Sequence, residues 1–282
     1  MQEIPFAQFT NWRELFRSPA ATWAIESIVA GNTAGRLWIA EQTLLLWDQG
    51  NNVFYLAGAP PSEATGYDLA FLIDEQIRPA AIVEGLRYFK LRVAAPEAAA
   101  IIPVILPQID LREISTLIYR CTGTIVAQPM PDLGGCELVP IDHALLEQSQ
   151  LRRREEVLDE IDWMWRERAD FYRHGFGVAA CLPGEIIGWC TAEYVSPGHC
   201  GVGVATAAEF QRRGVGSAMA ARFLEECRRR DMQVLWEAAS SNSASCRLAA
   251  RVGLVCSDEE RTWQGQFPLF SLRLNDSVSA KE

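Results

Sequence analysis

Apolar residues in the last third of the chain recur with the spacing of a helix, between two runs that have the length of strands. One set of apolar positions recurs every four residues: Val215, Met219, Phe223 and Cys227. This spacing predicts an amphipathic helix with one face on a core. The apolar run 201–206 precedes this helix and the run 234–238 follows it. The pattern therefore predicts a strand–helix–strand unit.

The rest of the pattern after residue 135 predicts further helices and strands around this unit. The predicted elements are helices at 141–148 and 152–169, strands at 176–181, 185–195 and 200–206, and a helix from Asn242 to Gly253. We expect the last strands at 263–267 and 270–274, followed by a frayed end at 275–282. This order predicts a mixed, mostly antiparallel central sheet flanked by helices, an α/β (α+β) fold.

The first 130 residues have a similar alternation of elements. We predict strands at 37–40, 43–47, 53–57 and 116–120, and helices at 69–75, 79–89 and 97–106. A stretch rich in proline and glycine at 128–135 marks a boundary. We therefore expect an N-terminal α/β domain at 1–130, of unknown role, and a second domain at 136–282. The hairpin-then-helix order of the first domain allows it to be a degenerate copy of the second.

The composition is that of a globular protein and narrows the range of partners. The chain has 282 residues, 49% of them hydrophobic, and no apolar run long enough for a membrane span. Its first residues lack the positive-then-apolar profile of a signal peptide. Its net charge of −10 argues against nucleic acid as a partner. The eight cysteines form no Cys-x-x-Cys pair and the three histidines are far apart, so we expect no metal site. Reduced thiols fit a cytoplasmic location.

A glycine-bearing turn lies between the strand 201–206 and the amphipathic helix. It reads Gln211-Arg212-Arg213-Gly214-Val215-Gly216, with Ser217 next. The free N–H groups of a first helical turn, with the helix dipole, attract anions. Gly214 and Gly216 leave room for a pyrophosphate, and the two arginines add positive charge. By itself the pattern also fits an ordinary strand-to-helix turn.

The order of strand, phosphate turn, helix, strand, Asn242, helix and Gly253 resembles the acyl-coenzyme A binding core of GNAT-type N-acetyltransferases. The resemblance covers roughly residues 136–256. Within the superfamily, four segments are similar to the zwittermicin-resistance-like subgroup: Phe176–Cys181, Gly184–Val195, Arg212-Arg213-Gly214 and Phe223–Cys227. The resemblance implies acetyl-coenzyme A as the acyl donor.

The resemblance also implies where this donor binds. The strands 200–206 and 234–238 would part to admit the acyl arm, which would lie along Val204, Ala205 and Thr206. A backbone N–H of Ala205 or Thr206 would polarise the thioester carbonyl. The pyrophosphate would lie on the turn and on Ser217. Asn242 either contacts the donor or only caps its helix, and Ser245 follows it in the same turn.

The acceptor amine must lose a proton, because an alkylamine is protonated at neutral pH. Glu193 is the first candidate for the base, since it shares a strand face with Thr191 and a buried carboxylate is costly unless it is paired or used. The alternative interpretation is that Glu193 lies at a solvent-exposed end of its strand and has no catalytic role. Glu237 on the neighbouring strand is second, and Glu209 and His199 are weaker candidates.

One position departs from the family. Many GNAT enzymes have a tyrosine seven residues after the asparagine, which protonates the leaving thiolate, whereas this chain has Ala249. Ser245, Cys246 or solvent could supply that proton. The sequence predicts an N-acetyltransferase for a small-molecule amine, such as an aminated natural product or antibiotic. A non-catalytic acyl-coenzyme A sensor and a protein N-acetyltransferase are the alternatives. We expect residues 1–130 either to wall off the substrate cleft or to mediate homodimer formation.

Overall fold

The computed structural model describes residues 1–94, 96–130 and 132–268. These residues form one mixed sheet of twelve strands in the order β1-β2-β3-β4-β5-β12-β6-β11-β10-β9-β8-β7. The strands are β1 Gln2–Ile4, β2 Gly35–Ala40, β3 Thr43–Asp48, β4 Val53–Gly58, β5 Tyr88–Val93, β6 Arg112–Cys121, β7 Glu137–Pro140, β8 Gly177–Leu182, β9 Glu185–Ser196, β10 His199–Thr206, β11 Gln233–Ala239 and β12 Leu254–Gln266. The α-helices are α1 Pro19–Val29, α2 Glu63–Leu72, α3 Arg78–Val83, α4 Ile102–Ile105, α5 His143–Leu146, α6 Arg154–Met164, α7 Arg168–His174, α8 Val215–Arg229 and α9 Ser243–Arg251.

The two halves of the sheet repeat one pairing scheme. Strands β2 to β5 pair antiparallel, antiparallel and then parallel. Strands β8 to β11 pair in the same sequence of directions. The last strand of each half is exchanged, because β6 pairs with β11 and β12 pairs with β5. The N-terminal half is thus a degenerate copy of the C-terminal one, and the two meet where β6 pairs with β12.

The helices of the C-terminal half cover both faces of its sheet. A side chain at Gly188 on β9 would meet Met219 of α8. Three and five residues further on, Thr191 and Glu193 point to the opposite face, where a side chain at Gly203 would meet both of them and Glu160 of α6. Helices α1 and α6 pack against β9, and α9 packs against β11 and β12.

The structure confirms most predicted elements and differs at others. The strands at 37–40, 43–47, 53–57 and 116–120 are present, as are the predicted strands after residue 140. The helix predicted at 152–169 is instead divided into α6 and α7, because Trp165 is extended and ends α6. The end of the predicted helix at 79–89 instead enters β5, where the buried Phe89 and Leu91 alternate with Lys90. The short strands β1 and β7 and the helix α1 were not predicted. Within the described residues no helix is both long and apolar enough to cross a bilayer.

Some predictions remain open. The strand at 270–274 and the tail at 275–282 lie outside the described residues. The domain limits 1–130 and 136–282 stay predictions, and the exchange of β6 and β12 joins the two regions within one sheet.

A buried hydrogen bond ties β9 to the N-terminal half beside Glu193. Tyr194 has a φ of +46°, a left-handed conformation that is costly for an aromatic residue. Its hydroxyl donates to Asp48 Oδ2, and Asp48 Oδ1 accepts from the N–H of Gly50 at 3.0 Å. Burial raises the pKa of Asp48 to about 6, although these hydrogen bonds and the charge of Lys90 oppose the rise.

We predict that Asp48→Asn removes a pH-dependent loss of stability. The pKa of Asp48 is about 6 in the folded state against an ordinary 3.8, so the folded state keeps this proton to higher pH. The free energy of unfolding therefore falls as pH rises from about 4 to about 6, by up to about 3 kcal/mol from this group. Asparagine keeps partners for Tyr194 and Gly50 but carries no charge.

Urea unfolding of both proteins between pH 4 and pH 7 measures this effect. The difference in unfolding free energy should shift in favour of Asp48→Asn across that range. The exposed Asp159→Asn serves as the control and should stay parallel to the wild type. A difference that is independent of pH would contradict the prediction.

Candidate active site

Strands β10 and β11 pair over only three residues and then part. The pairs are His199 with Gln233, Cys200 with Val234, and Gly201 with Leu235. On its other side β10 stays paired with β9 up to Thr206. From Val202 to Thr206 the edge of β10 that faces β11 has no partner strand among the described residues. The predicted parting of these two strands is confirmed, and it leaves backbone groups available to an extended ligand.

The N-terminus of α8 closes one end of this opening. Gly214 caps the helix with a φ of +87° and no side-chain hydrogen bond. Among the described residues, no backbone N–H from Arg212 to Ser217 donates to another backbone group. A side chain at Gly214 would meet nothing within 4 Å, so the turn faces open space. Free N–H groups at a helix N-terminus bind anions.

A cleft of about 620 Å³ joins the turn, the free edge of β10 and α9. Ten of the predicted donor-binding residues line it: Val204, Ala205, Thr206, Gln211, Arg212, Gly214, Gly216, Ser217, Asn242 and Ser245. Two others do not. Val215 is 1% exposed and points into the core. The Arg213 guanidinium lies 5.8 Å from the ring centre of Phe210, beside the cleft.

Two arginines of α9 that we did not predict also line the cleft. Arg247 and Arg251 lie one turn apart on the helix face that meets Arg212 across the cleft. None of these three side chains forms an ion pair in the described part of the chain, and no acidic residue lines the cleft. The cleft is therefore cationic in a chain of net charge −10. The four-residue spacing of Arg247 and Arg251 in the helix after Asn242 was the signal in the sequence that could have identified them.

The predicted residues at the start of α9 have defined partners. Asn242 caps the helix, because its Oδ1 accepts from the N–H of Ser245 at 3.1 Å. The Ser245 hydroxyl accepts from Trp236 Nε1 at 2.9 Å, so its own proton stays free to be donated. Ala249 is fully buried, and Cys246 Sγ lies 3.7 Å from the carbonyl of Ala239. Both readings of Asn242 stay compatible with this geometry, since its side chain also borders the cleft.

Glu193 lies beside the parting of the strands and shares its proton with a second carboxyl group. Its partner is Glu160 of α6, and the hydrogen bond between two carboxyl groups requires that one of them is protonated. Burial and the charge of Glu160 raise the pKa of Glu193 to about 8, while Lys90 opposes the rise. Burial also raises the pKa of Glu160. The two carboxyl groups therefore titrate as a coupled pair.

Glu160 was missed because its helix pattern gave it no distinct role. It lies three residues after the buried Val157 and four before the buried Met164, at the border of the apolar face of α6. An acid at that position is the signal that could have identified it.

The other base candidates are held in ion pairs or contacts of their own. Glu237 Oε2 lies 2.6 Å from Arg92 Nη2 of β5. Burial alone would raise the pKa of Glu237, but the Arg92 guanidinium holds it below its ordinary value. Glu209 is bound by Arg153. His199 Nδ1 lies 3.0 Å from the carbonyl oxygen of Pro197, and its ring packs edge-on against Trp23. Glu193 is thus the candidate with a raised pKa beside the open edge.

Comparisons with known proteins agree with this geometry. Residues 127–262 match the family described as GNAT acetyltransferase. No protein of curated function matches the chain. A GCN5-related N-acetyltransferase-like protein from Streptococcus suis superposes with a TM-score of 0.67 at 16% identity, over 92% of this chain and 99% of that one.

Two further solved structures share the fold over nearly the whole chain. A GCN5-related N-acetyltransferase from Sphaerobacter thermophilus has a TM-score of 0.57 at 14% identity, and covers 94% of this chain and 95% of its own. A tandem GNAT protein from the clavulanic acid biosynthesis pathway has a TM-score of 0.56 at 14% identity, and the match covers 95% of this chain and 98% of that one. Residues 127–262 of this chain therefore match the GNAT acetyltransferase family model, and the chain as a whole has a fold that solved GNAT structures share.

Proposed function

We propose that the protein is an acetyl-coenzyme A-dependent N-acetyltransferase that acetylates a primary amine of a small molecule by direct attack in a ternary complex. The observation that carries this proposal is the unpaired edge of β10, with the cationic cleft at one end and the Glu193 carboxyl on the adjacent strand. This arrangement would bring the thioester of a bound donor close to the Glu193 carboxyl group.

The residues of the cleft suit the donor. The free N–H groups from Arg212 to Ser217 would hold the pyrophosphate, and Arg247 and Arg251 offer charge for a further phosphate. The backbone of Val204 to Thr206 would pair with the amide-bearing arm. Acetyl-coenzyme A supplies an acetyl group on a thioester, which a neutral amine attacks without a covalent enzyme intermediate.

Glu193 supplies the base. A carboxyl group with a pKa of about 8 accepts a proton from an ammonium group far more readily than an ordinary carboxylate does. The amine nitrogen bonds to the carbonyl carbon, the carbon–sulfur bond breaks, and the nitrogen's proton passes to Glu193. Ser245 or solvent protonates the thiolate, which leaves readily because a thiol pKa lies near 8.5.

The surroundings of Glu193 favour a small acceptor over a protein. The N-terminal half approaches it through Lys90 of β5 and through the Asp48–Tyr194 hydrogen bond. An amine-bearing natural product or antibiotic fits such a bounded space. Membership of the zwittermicin-resistance-like subgroup, a cytoplasmic location and homodimer formation stay predictions.

A non-catalytic acyl-coenzyme A sensor is the second candidate. It is favoured by Ala249, which is fully buried where many family members have a tyrosine acid. A sensor would bind acetyl-coenzyme A tightly and acetylate no amine.

We predict that Gly214→Glu abolishes donor binding. Acetyl-coenzyme A at one hundred times its dissociation constant should stabilise the wild type by about 2.7 kcal/mol, a rise of a few degrees in Tm. The added carboxylate would lie at the phosphate turn and repel the pyrophosphate. A thermal-shift titration with acetyl-coenzyme A and coenzyme A measures both proteins.

Gly184→Glu is the matched control. Gly184 has a φ of +78° and, like Gly214, meets nothing within 4 Å, but it lies in the β8–β9 hairpin. The backbone strain and the added charge are therefore equal. The control should keep the shift. Equal rises in Tm with acetyl-coenzyme A for both variants would show that the turn does not bind the donor.

We predict that Glu193→Gln lowers kcat by about 10²–10⁴-fold and leaves the KM for acetyl-coenzyme A unchanged, because glutamine cannot accept the proton. The wild-type kcat/KM for the amine should rise with pH to about 8, where Glu193 loses its proton. This rise of kcat/KM with pH should be absent in Glu193→Gln.

Steady-state kinetics of a primary-amine panel across pH measures this loss. Glu225→Gln on the exposed face of α8 is the control and should behave as wild type. Full activity of Glu193→Gln at every pH would exclude Glu193 as the base.

A further inference from the structure

Three oxygen atoms converge on the space above the Cα atom of Gly203. A methyl group built there would collide with Glu193 Oε1, and would lie 2.9 Å from Thr191 Oγ1 and 3.0 Å from Glu160 Oε1. Two of these side chains stand at alternate positions of β9, and the third comes from α6. Gly203 itself lies opposite Thr191 in the sheet, at the start of the unpaired edge of β10.

The Thr191 hydroxyl lacks a partner in this space. Thr191 is 2% exposed, and its Oγ1 makes no hydrogen bond within the described parts of the chain. Trp189 Nε1, two residues earlier on the same face of β9, is also buried without a partner. A buried polar group left unpaired costs about 1–3 kcal/mol. Trp189 Nε1 is a donor and cannot pair with another donor, whereas the Thr191 hydroxyl oxygen can accept a hydrogen bond. The unpaired Thr191 oxygen beside a carboxyl pair indicates that a ligand with a donor group completes its hydrogen bond.

We propose that the acceptor's primary ammonium group is held above Gly203 by Glu160, Glu193 and Thr191, and that this cradle selects primary amines. The proposal rests on the proposed function, since it assigns the acceptor position of the same site. A primary ammonium has three N–H donors, and the cradle offers three acceptors. A secondary amine would direct a carbon atom at one of these oxygens, which would leave that oxygen unpaired.

The charges around the cradle agree with a cation. With one shared proton, the two carboxyl groups keep one negative charge between them. The groups that face Glu193 from the packed elements are Glu160 of α6, Lys90 of β5 and Glu237 of β11, and Lys90 is the only cation among them. Lys90 is itself half-buried, and burial lowers its pKa. Because Glu237 is already paired with Arg92, an ammonium group would be attracted by the charge that Glu160 and Glu193 share.

Thr191→Val tests the third oxygen, because valine has nearly the shape of threonine. We expect it to raise the KM for a primary amine about tenfold, the value of one hydrogen bond, with the KM for acetyl-coenzyme A unchanged. Thr191→Ser restores the hydroxyl and should restore most of the wild-type KM. The probes are n-butylamine and its secondary analogue N-methylbutylamine, and the wild type should prefer the former.

Glu160→Gln tests the second carboxyl group. It should raise the KM for n-butylamine about 10–100-fold, as expected for a hydrogen bond to a charged group. Because it also removes the charge beside Glu193, the pKa of Glu193 should fall. The rise of kcat/KM with pH should then occur at lower pH. Glu156→Gln, one turn earlier on α6 and exposed, is the matched control and should change neither quantity. Gly203→Ala should weaken amine binding, since its methyl group would displace the Glu193 carboxyl group from the cradle.

A binding measurement without turnover separates the two proposals. The Tm is compared in n-butylammonium chloride and in tetramethylammonium chloride, at equal ionic strength. Primary ammonium should stabilise the wild type, and Thr191→Val and Glu160→Gln should lose this effect. If the wild type acetylates nothing but shows this pattern, the cradle stands and the proposed function fails. If amines are acetylated with no preference for primary amines and no effect of these variants, the cradle is overturned and the proposed function stands.

Discussion

The antiparallel pairing of β6 with β12 at the centre of the sheet is the constraint on which the rest of the structure depends. Each strand ends one half of the chain and is built into the other half. The exchange brings β5 near β11, so that the buried Arg92 reaches Glu237 at 2.6 Å and Glu260 at 3.3 Å. A buried guanidinium is tolerated only with such partners. The two halves therefore share one sheet and a charged cluster, and Glu193 lies at the edge of that cluster.

The same fold serves different purposes in the two halves. In the C-terminal half, β10 and β11 part after three pairs and a glycine turn opens α8. In the N-terminal half, β4 and β5 stay paired over four residues, and the turn into α2 contains Pro60 and Pro61. Proline has no N–H to offer to a phosphate. The N-terminal half has thus kept the strand order without the cleft, and it contributes Lys90, Asp48 and β6 to its neighbour.

Sequence patterns predicted the elements whose hydrophobic periodicity is local and the turn whose glycines have a local purpose. The helix α8, the strands from β8 to β11 and the phosphate turn follow from such signals, whereas the donor-binding roles of Val204, Ala205, Thr206 and Asn242 came from the family resemblance. The strand β5 and the exchange were missed because pairing between residues such as Trp263 and Leu91 is set by tertiary structure, which no local pattern records. Glu160 was missed for a related reason, since its partner Glu193 is distant in the sequence. Arg247 and Arg251 became meaningful only once α9 was placed along the cleft.

We propose that one half of the duplicated fold forms the acyl-donor site and that the other half supports it. Isothermal titration calorimetry of the full chain with acetyl-coenzyme A tests this claim most directly. We expect one molecule bound per chain, because among the described residues the β10–β11 opening combines free backbone groups with arginines that form no ion pair. Two molecules per chain would show that the N-terminal half also carries a donor site. No binding at millimolar ligand would contradict the assignment of the cleft itself.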